Sequence, residues 1–381
     1  MEIDSDIPHF LATQKRQVPA TLQNYYNTFE DLYERKLWHQ LTLAVQEFLS
    51  KPESGPFQVD LYNNFISDWE SKMSQLKLVT FGVSASKQIP DHTQAREFLK
   101  TLTEKVNKDE TRDAYVLAKM EQSHFGLLLG DLDSTKKDLE ECSKLLDSFD
   151  SVDPHINASY LRVSADFYKI KAEYAKYYKN ALLYLACVNI DDLSQAEKAS
   201  RANDLALSAL LGDSIYNFGE LLMHPVLESL VGTEREWLKN LLFAFNSGDI
   251  GKFEALSPHF TQENILQSNI DALRQKICLM SLTETVFKRS FDNRSIPFVT
   301  ISSETKLPLE EVEILVMKAL SLGLIKGTID QVDSVVRVNW VQPRVLDRNQ
   351  IKGMQDRLGA WNENVKATAL TMEAEALDIY A

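Results

Sequence analysis

Up to about Arg289, apolar residues recur at helical spacing almost without interruption, and only 13 glycines and 11 prolines are spread over the 381 residues. That pattern predicts an array of amphipathic helices. Between Tyr25 and Leu49, one stripe runs through Tyr26, Phe29, Leu32 and Tyr33. Beyond Arg35-Lys36 a second runs through Leu37, Leu41, Ala44, Val45 and Phe48. Two short helices joined by a tight turn make a helical hairpin.

The arrangement returns downstream. The stretch from Phe125 to Asp133 ends one helix at Gly130 and opens another at Asp131. Leu210-Leu211-Gly212-Asp213 and the stretch around Gly248-Asp249 repeat that punctuation. Glycine suits the left-handed residue after a helix, and Asp caps the next one through its side-chain oxygen. Tyr174 to Leu185, with Tyr177, Tyr178, Ala181 and Leu182, supplies a further hairpin. The spacing between copies is irregular, so the expected fold is a mainly α, degenerate TPR-like solenoid of helical hairpins.

After Arg289 the period changes. Ile296-Pro297-Phe298 is short and β-leaning, a polar helical turn follows through Ser302-Ser303-Glu304, and Leu307-Pro308 opens a helix. Glu310 and Glu311 complement the dipole of that helix, which places Val312, Leu315, Val316, Ala319 and Leu320 on one face and ends at Gly323. Leu324–Ile329 and Val335–Val341 alternate with period two around a polar turn. Helix, turn, helix and β-hairpin are the order of a winged helix. From about Asp347 a long helix carries Ile351, Met354, Leu358, Trp361 and Val365 at three- and four-residue steps, extending less cleanly to Met372. So narrow a stripe is a coiled-coil or bundle seam.

Charge and composition narrow the function. A hydrophobic fraction of 44% and a charged fraction of 25% predict a soluble folded protein. A net charge of −14 argues against nucleic-acid binding, which needs a local excess of cations, and against an anionic membrane surface. The acidic start Met1–Asp6 has no apolar run behind it, and the run from Ala181 to Val188 is too short to span a bilayer. Cys142, Cys187 and Cys278 read as buried reduced thiols of a cytosolic or nuclear protein. Asn157-Ala158-Ser159 and Asn293-Arg294-Ser295 match the glycosylation pattern by chance.

Residues Tyr174 to Val341 resemble a PCI domain, the helical-repeat and winged-helix module of the proteasome lid, the COP9 signalosome and a translation initiation factor. Leu207–Leu222 with His224-Pro225, Arg274–Met280, and Leu315–Gln331 with Trp340–Arg344 are similar to PCI subunits of the 26S proteasome lid. The similarity continues more loosely through Tyr33–Trp38 and is least from Ser84 to Thr111. The resemblance implies a non-catalytic, cofactor-free structural subunit of the lid, serving ubiquitin-dependent protein degradation in cytoplasm and nucleus. It implies a hetero-oligomer whose partners are other PCI lid subunits and the adjacent ubiquitin-receptor subunit. The expected domains are amino-terminal repeats (1–170), a PCI domain (171–341, its winged helix from about 291) and a carboxy-terminal bundle helix (342–381). A PCI scaffold of a related complex and a winged-helix DNA-binding regulator are the alternatives.

From Ser295 to Val345, five basic residues (Lys306, Lys318, Lys326, Arg337, Arg344) face six acidic ones, so the footprint for DNA is missing. In the hairpin, Val336, Val338 and Trp340 are expected to pack on the module's own helices. Val335, Arg337 and Asn339 then form the outer face, and an open strand edge could accept a neighbour's strand. The terminal seam could fold back onto the chain or enter a bundle of other subunits' helices. Its length favours the bundle, with Trp361 as anchor. Gly248–Phe253 fails as a phosphate loop, with Asn246 at the first glycine position and Phe253 at the hydroxyl position. The seven histidines form no metal-ligating pair, and His224 reads as a helix-junction residue.

Overall fold

The computed structural model describes residues 7–289, 294–343 and 348–375, which fall into two compact units, Met1–Leu193 and Ser194–Ala381. The acidic Met1–Asp6 segment, Asn293 and Arg344 lie outside the described residues.

The described residues of the first unit form helices and their connections: α1 (Ile7–Gln17), α2 (Ala20–Glu34), α3 (Trp38–Leu49), α4 (Gln58–Asn64) and α5 (Gln75–Ser86) are followed by α6 (His92–Lys105), α7 (Arg112–Leu128), α8 (Leu132–Asp147), α9 (Pro154–Ile170) and α10 (Tyr174–Cys187). The expected α2–α3 hairpin turns at Lys36, whose backbone is left-handed, and its two stripes meet through Tyr26, Phe29 and Phe48 with ring centroids 5.6–5.7 Å apart. Edge-to-face rings fill that space and fix its geometry. Between α7 and α8, Gly130 is left-handed and the Asp131 carboxylate accepts from the Ser134 amide. The α9–α10 turn uses Ala172 instead of glycine in the same conformation.

The second unit opens with α11 (Gln195–Leu211), α12 (Gly219–Met223), α13 (Glu236–Ser247), α14 (Ile250–Leu256), α15 (Asn264–Ser268) and α16 (Ile270–Lys288). Here Gly248 and Asp249 punctuate as expected, with Asp249 accepting from the Lys252 amide. Gly212-Asp213 does not: Gly212 has φ of −68° and an irregular stretch follows, so Asp213 caps no helix. α16 runs through the middle, packed against α11, α13, α14 and α15, and its residues Lys276–Glu284 are all buried.

On α16 sit the winged-helix elements: β1 (Ser295–Pro297), α17 (Phe298–Thr305), α18 (Leu309–Ser321), β2 (Ile325–Asp330) and β3 (Val335–Val341). The sheet is antiparallel with order β1-β3-β2. Its inner side chains, Ile296, Ile325, Val336 and Val338, are buried. The last helix, α19 (Arg348–Glu375), has 28 residues and reaches about 42 Å at 1.5 Å per residue.

Candidate protein-interaction surfaces

Arg337 and Asn339 stand exposed and Val335 half-buried, so the outer face of the hairpin forms from the residues expected there. The strand order puts β1 and β2 at the edges of the sheet. β3 lies between β1 and β2 over Val335–Arg337, so along that stretch an incoming strand would have to pair along β2 or the three-residue β1. Trp340 also departs from expectation. Lys326 pairs with Trp340 but Gly327 with Val338, leaving Asn339 as an extra residue on β3. Such a bulge shifts the alternation by one residue, and Trp340 leaves the face of Val336 and Val338 to lie 37% exposed. The Lys326 ammonium sits 4.8 Å above its ring. The bulge needs glycine at 327, because a Cβ there would lie 2.1 Å from the Arg337 carbonyl oxygen.

α18 buries Val312, Leu315, Val316 and Ala319 as the sequence requires. Its other side holds Leu309, Ile314 and Met317, each at least half exposed. Ile314, Leu315 and Leu307 line a groove of about 400 Å³ against Arg274 and Cys278 of α16. The sequence reading missed this surface, although the signal was present: apolar residues off the core stripe of a short helix. Basic side chains of the module are occupied locally. Lys306 pairs with Glu254 at 2.8 Å, Lys318 contacts the Gln275 amide oxygen, and Arg337 lies 3.4 Å from Asp330.

α19 is the largest such surface. Ile351, Met354, Leu358, Trp361, Val365 and Met372 are 47–66% exposed, at the three- and four-residue steps of one seam with Thr368 in the remaining place. Every residue from Ile351 to Glu375 is exposed except half-buried Gly353. Leu370, off the seam, is exposed as well.

Buried charges have structural partners. The Lys276 ammonium donates to the carbonyls of Ala209 (2.8 Å), Leu210 (3.0 Å) and Gly212 (2.7 Å), and faces the rings of Tyr216 and Phe218. It thereby ties together two stretches, Leu207–Leu222 and Arg274–Met280, that carried the resemblance. Burial draws its pKa down to about 7. Three carbonyls can all be satisfied at once only by the protonated form, because a neutral amine has two N–H donors. In the first unit, Glu121 accepts from Arg162 at 2.6 and 2.7 Å and from the Ser159 hydroxyl at 2.7 Å. Burial alone would raise the Glu121 pKa, but Arg162 and Ser159 outweigh it and hold the carboxyl below its ordinary value.

The remaining singled-out groups are local. His224 Nδ1 accepts from the Val226 amide at 3.2 Å, capping a short turn, and burial lowers its pKa. Cys142 and Cys278 are buried, and burial pushes the Cys142 thiol up to about 12. Cys187 is only half-buried, because it sits on the last turn of α10. Among the described residues no cluster of His, Cys, Asp and Glu is arranged to hold a metal ion.

Residues 25–242 match the family described as PSD13 N-terminal repeats, residues 253–340 the PCI domain, and residues 344–376 the Rpn9 C-terminal helix. The probable 26S proteasome regulatory subunit rpn9 of Schizosaccharomyces pombe is 42% identical over 379 residues, covering 100% of this chain and 99% of that protein. The 26S proteasome non-ATPase regulatory subunit 13 homolog B of Arabidopsis thaliana is 42% identical over 381 residues, 98% of each chain. The 26S proteasome regulatory subunit RPN9 of Saccharomyces cerevisiae is 36% identical over 389 residues, again 98% of each.

Proposed function

This chain belongs to the PCI-domain family of 26S proteasome regulatory subunits that includes Rpn9 and non-ATPase regulatory subunit 13, and we propose that it acts there as a non-catalytic scaffold of the regulatory-particle lid. The observation that carries the reading is α19, a helix whose apolar seam is left uncovered by its own unit. An apolar stripe of this width has its place in a bundle, with knobs seated in the holes of neighbouring helices. The partners are other PCI lid subunits, whose helices cover Ile351, Met354, Leu358, Trp361, Val365 and Met372. The edge of β2 joins a neighbouring winged helix, beside the face of Val335, Arg337 and Asn339. The repeats (1–170) contact the adjacent ubiquitin receptor, while the PCI domain (171–341) and the terminal helix (342–381) hold the subunit in place.

A scaffold role accords with the buried charges, which are used on backbone carbonyls and on one another. Its place of action is the cytoplasm and nucleus. No helix among the described residues is long and apolar enough to cross a membrane. The test is to tag the chain at its native locus and follow it by gradient sedimentation and mass spectrometry. Comigration with a megadalton ATP-dependent peptidase, lost on deletion of residues 351–381, is expected. Recovery as a free chain, on chromatin, or in a different PCI complex would overturn the assignment.

A further inference from the structure

In the first unit, α8 and the α9–α10 hairpin enclose a groove of about 560 Å³. Its floor is apolar and aromatic: Leu139 and Phe167 are buried, and Tyr160 and Tyr168 half-buried. Four exposed lysines, Lys136, Lys144, Lys171 and Lys176, stand around it against two carboxylates, Glu140 and Glu173. In a chain of net charge −14 this is a local reversal of sign. Lys136 and Lys176 are answered by Glu140 at 3.7 Å and Glu173 at 2.7 Å. Lys144 and Lys171 form no ion pair among the described residues. The Lys171 ammonium lies 4.7 Å from the Phe167 ring centre and Lys176 5.1 Å from that of Tyr168. Cations resting on aromatic faces keep their stems packed on the floor and their heads in reach of an anion.

We propose that this groove docks an acidic segment of a partner protein, one that carries aliphatic or aromatic residues between its carboxylates. Charge complementarity selects the carboxylates, and the aromatic floor rewards the apolar residues between them. A nucleic-acid strand fits less well. It carries a charge at every phosphate, and some would have to pass Glu140 and Glu173 in the field of an acidic protein. A peptide can place carboxylates only where the lysines are. The proposal is independent of the lid assignment, since the groove belongs to the first unit alone and needs no seam on α19.

The experiment uses the full chain and a fluorescein-labelled peptide of about a dozen residues that alternates Glu and Asp with Leu and Phe. Fluorescence anisotropy should report binding that weakens roughly tenfold from low to high salt, as an interaction between exposed charges does. The double variant Lys144→Glu/Lys171→Glu should lose about as much affinity while keeping its circular dichroism and melting temperature. If that pair unfolds, Lys136→Glu/Lys176→Glu reads the same groove from its other lysines. Equal binding by a peptide with Gln and Asn in place of Glu and Asp would overturn the proposal. So would unchanged binding to either folded variant, or displacement of the peptide by oligouridylate at lower concentration than by unlabelled peptide.

Discussion

α16 and α19 are the two longest helices of the second unit, and their apolar residues are covered in opposite ways. From Lys276 to Glu284, nine consecutive residues of α16 are buried, including the small polar Ser281 and Thr283. The Ser281 hydroxyl donates to the Glu304 carbonyl and that of Thr283 to Met280, so even the polar positions are satisfied inside the unit. α19 buries none of the residues from Ile351 to Glu375, and its large apolar side chains keep to one seam apart from Leu370. Apolar and small residues all round a helix call for a complete surrounding shell, whereas a narrow stripe asks for one or two further helices. Within one unit, α16 is covered by its own fold and α19 is left uncovered.

Substitutions can break that contrast. Leu279→Ala, at a site 1% exposed, should lower the unfolding free energy by roughly 2–5 kcal/mol, read from the denaturant midpoint of the isolated chain. Lys276→Met should have an effect of similar size. It keeps the stem but deprives the carbonyls of Ala209 and Leu210 of their cation, at about 1–3 kcal/mol for each group left unsatisfied. Gly212 is less affected, because its carbonyl also accepts from the Ile215 amide. At the small end, Leu358→Ala and Trp361→Ala should leave the denaturant midpoint of the isolated chain within about 0.5 kcal/mol of the parent, as exposed positions do. The same two changes should reduce incorporation into the sedimenting particle. Stability losses on α19 as large as those on α16 would mean that the seam is covered within the free chain, and the contrast would fail.

Much of this division was legible beforehand. The α2–α3 break at Lys36, the caps at Asp131 and Asp249, the order of the winged helix and the α19 seam follow from local chemistry and spacing. What escaped depends on residues far apart in sequence. Trp340 belonged to a clean period-two run until one extra residue at Asn339 changed its side. β3 could not be known as the central strand until three residues near Ile296 paired with it. Gly212-Asp213 looks like the other Gly-Asp pairs, yet its helix end is completed by a lysine more than sixty residues away. The α8–α10 groove likewise assembles Lys136 and Lys176 from separate helices, neither of which is basic enough to stand out alone.

That distant lysine also bears on timing. Its bonds to Ala209, Leu210 and Gly212 span 64 to 67 residues. At about 5–20 residues per second, α11 leaves the ribosome's catalytic centre roughly 3–13 s before Lys276 has been made. During that interval the carbonyls of Ala209 and Leu210 lack the ammonium that binds them in the folded unit. Closure over so long a loop is a late step. A nascent chain therefore finishes the end of one helix only when another, five helices on, arrives with the ammonium that fits it.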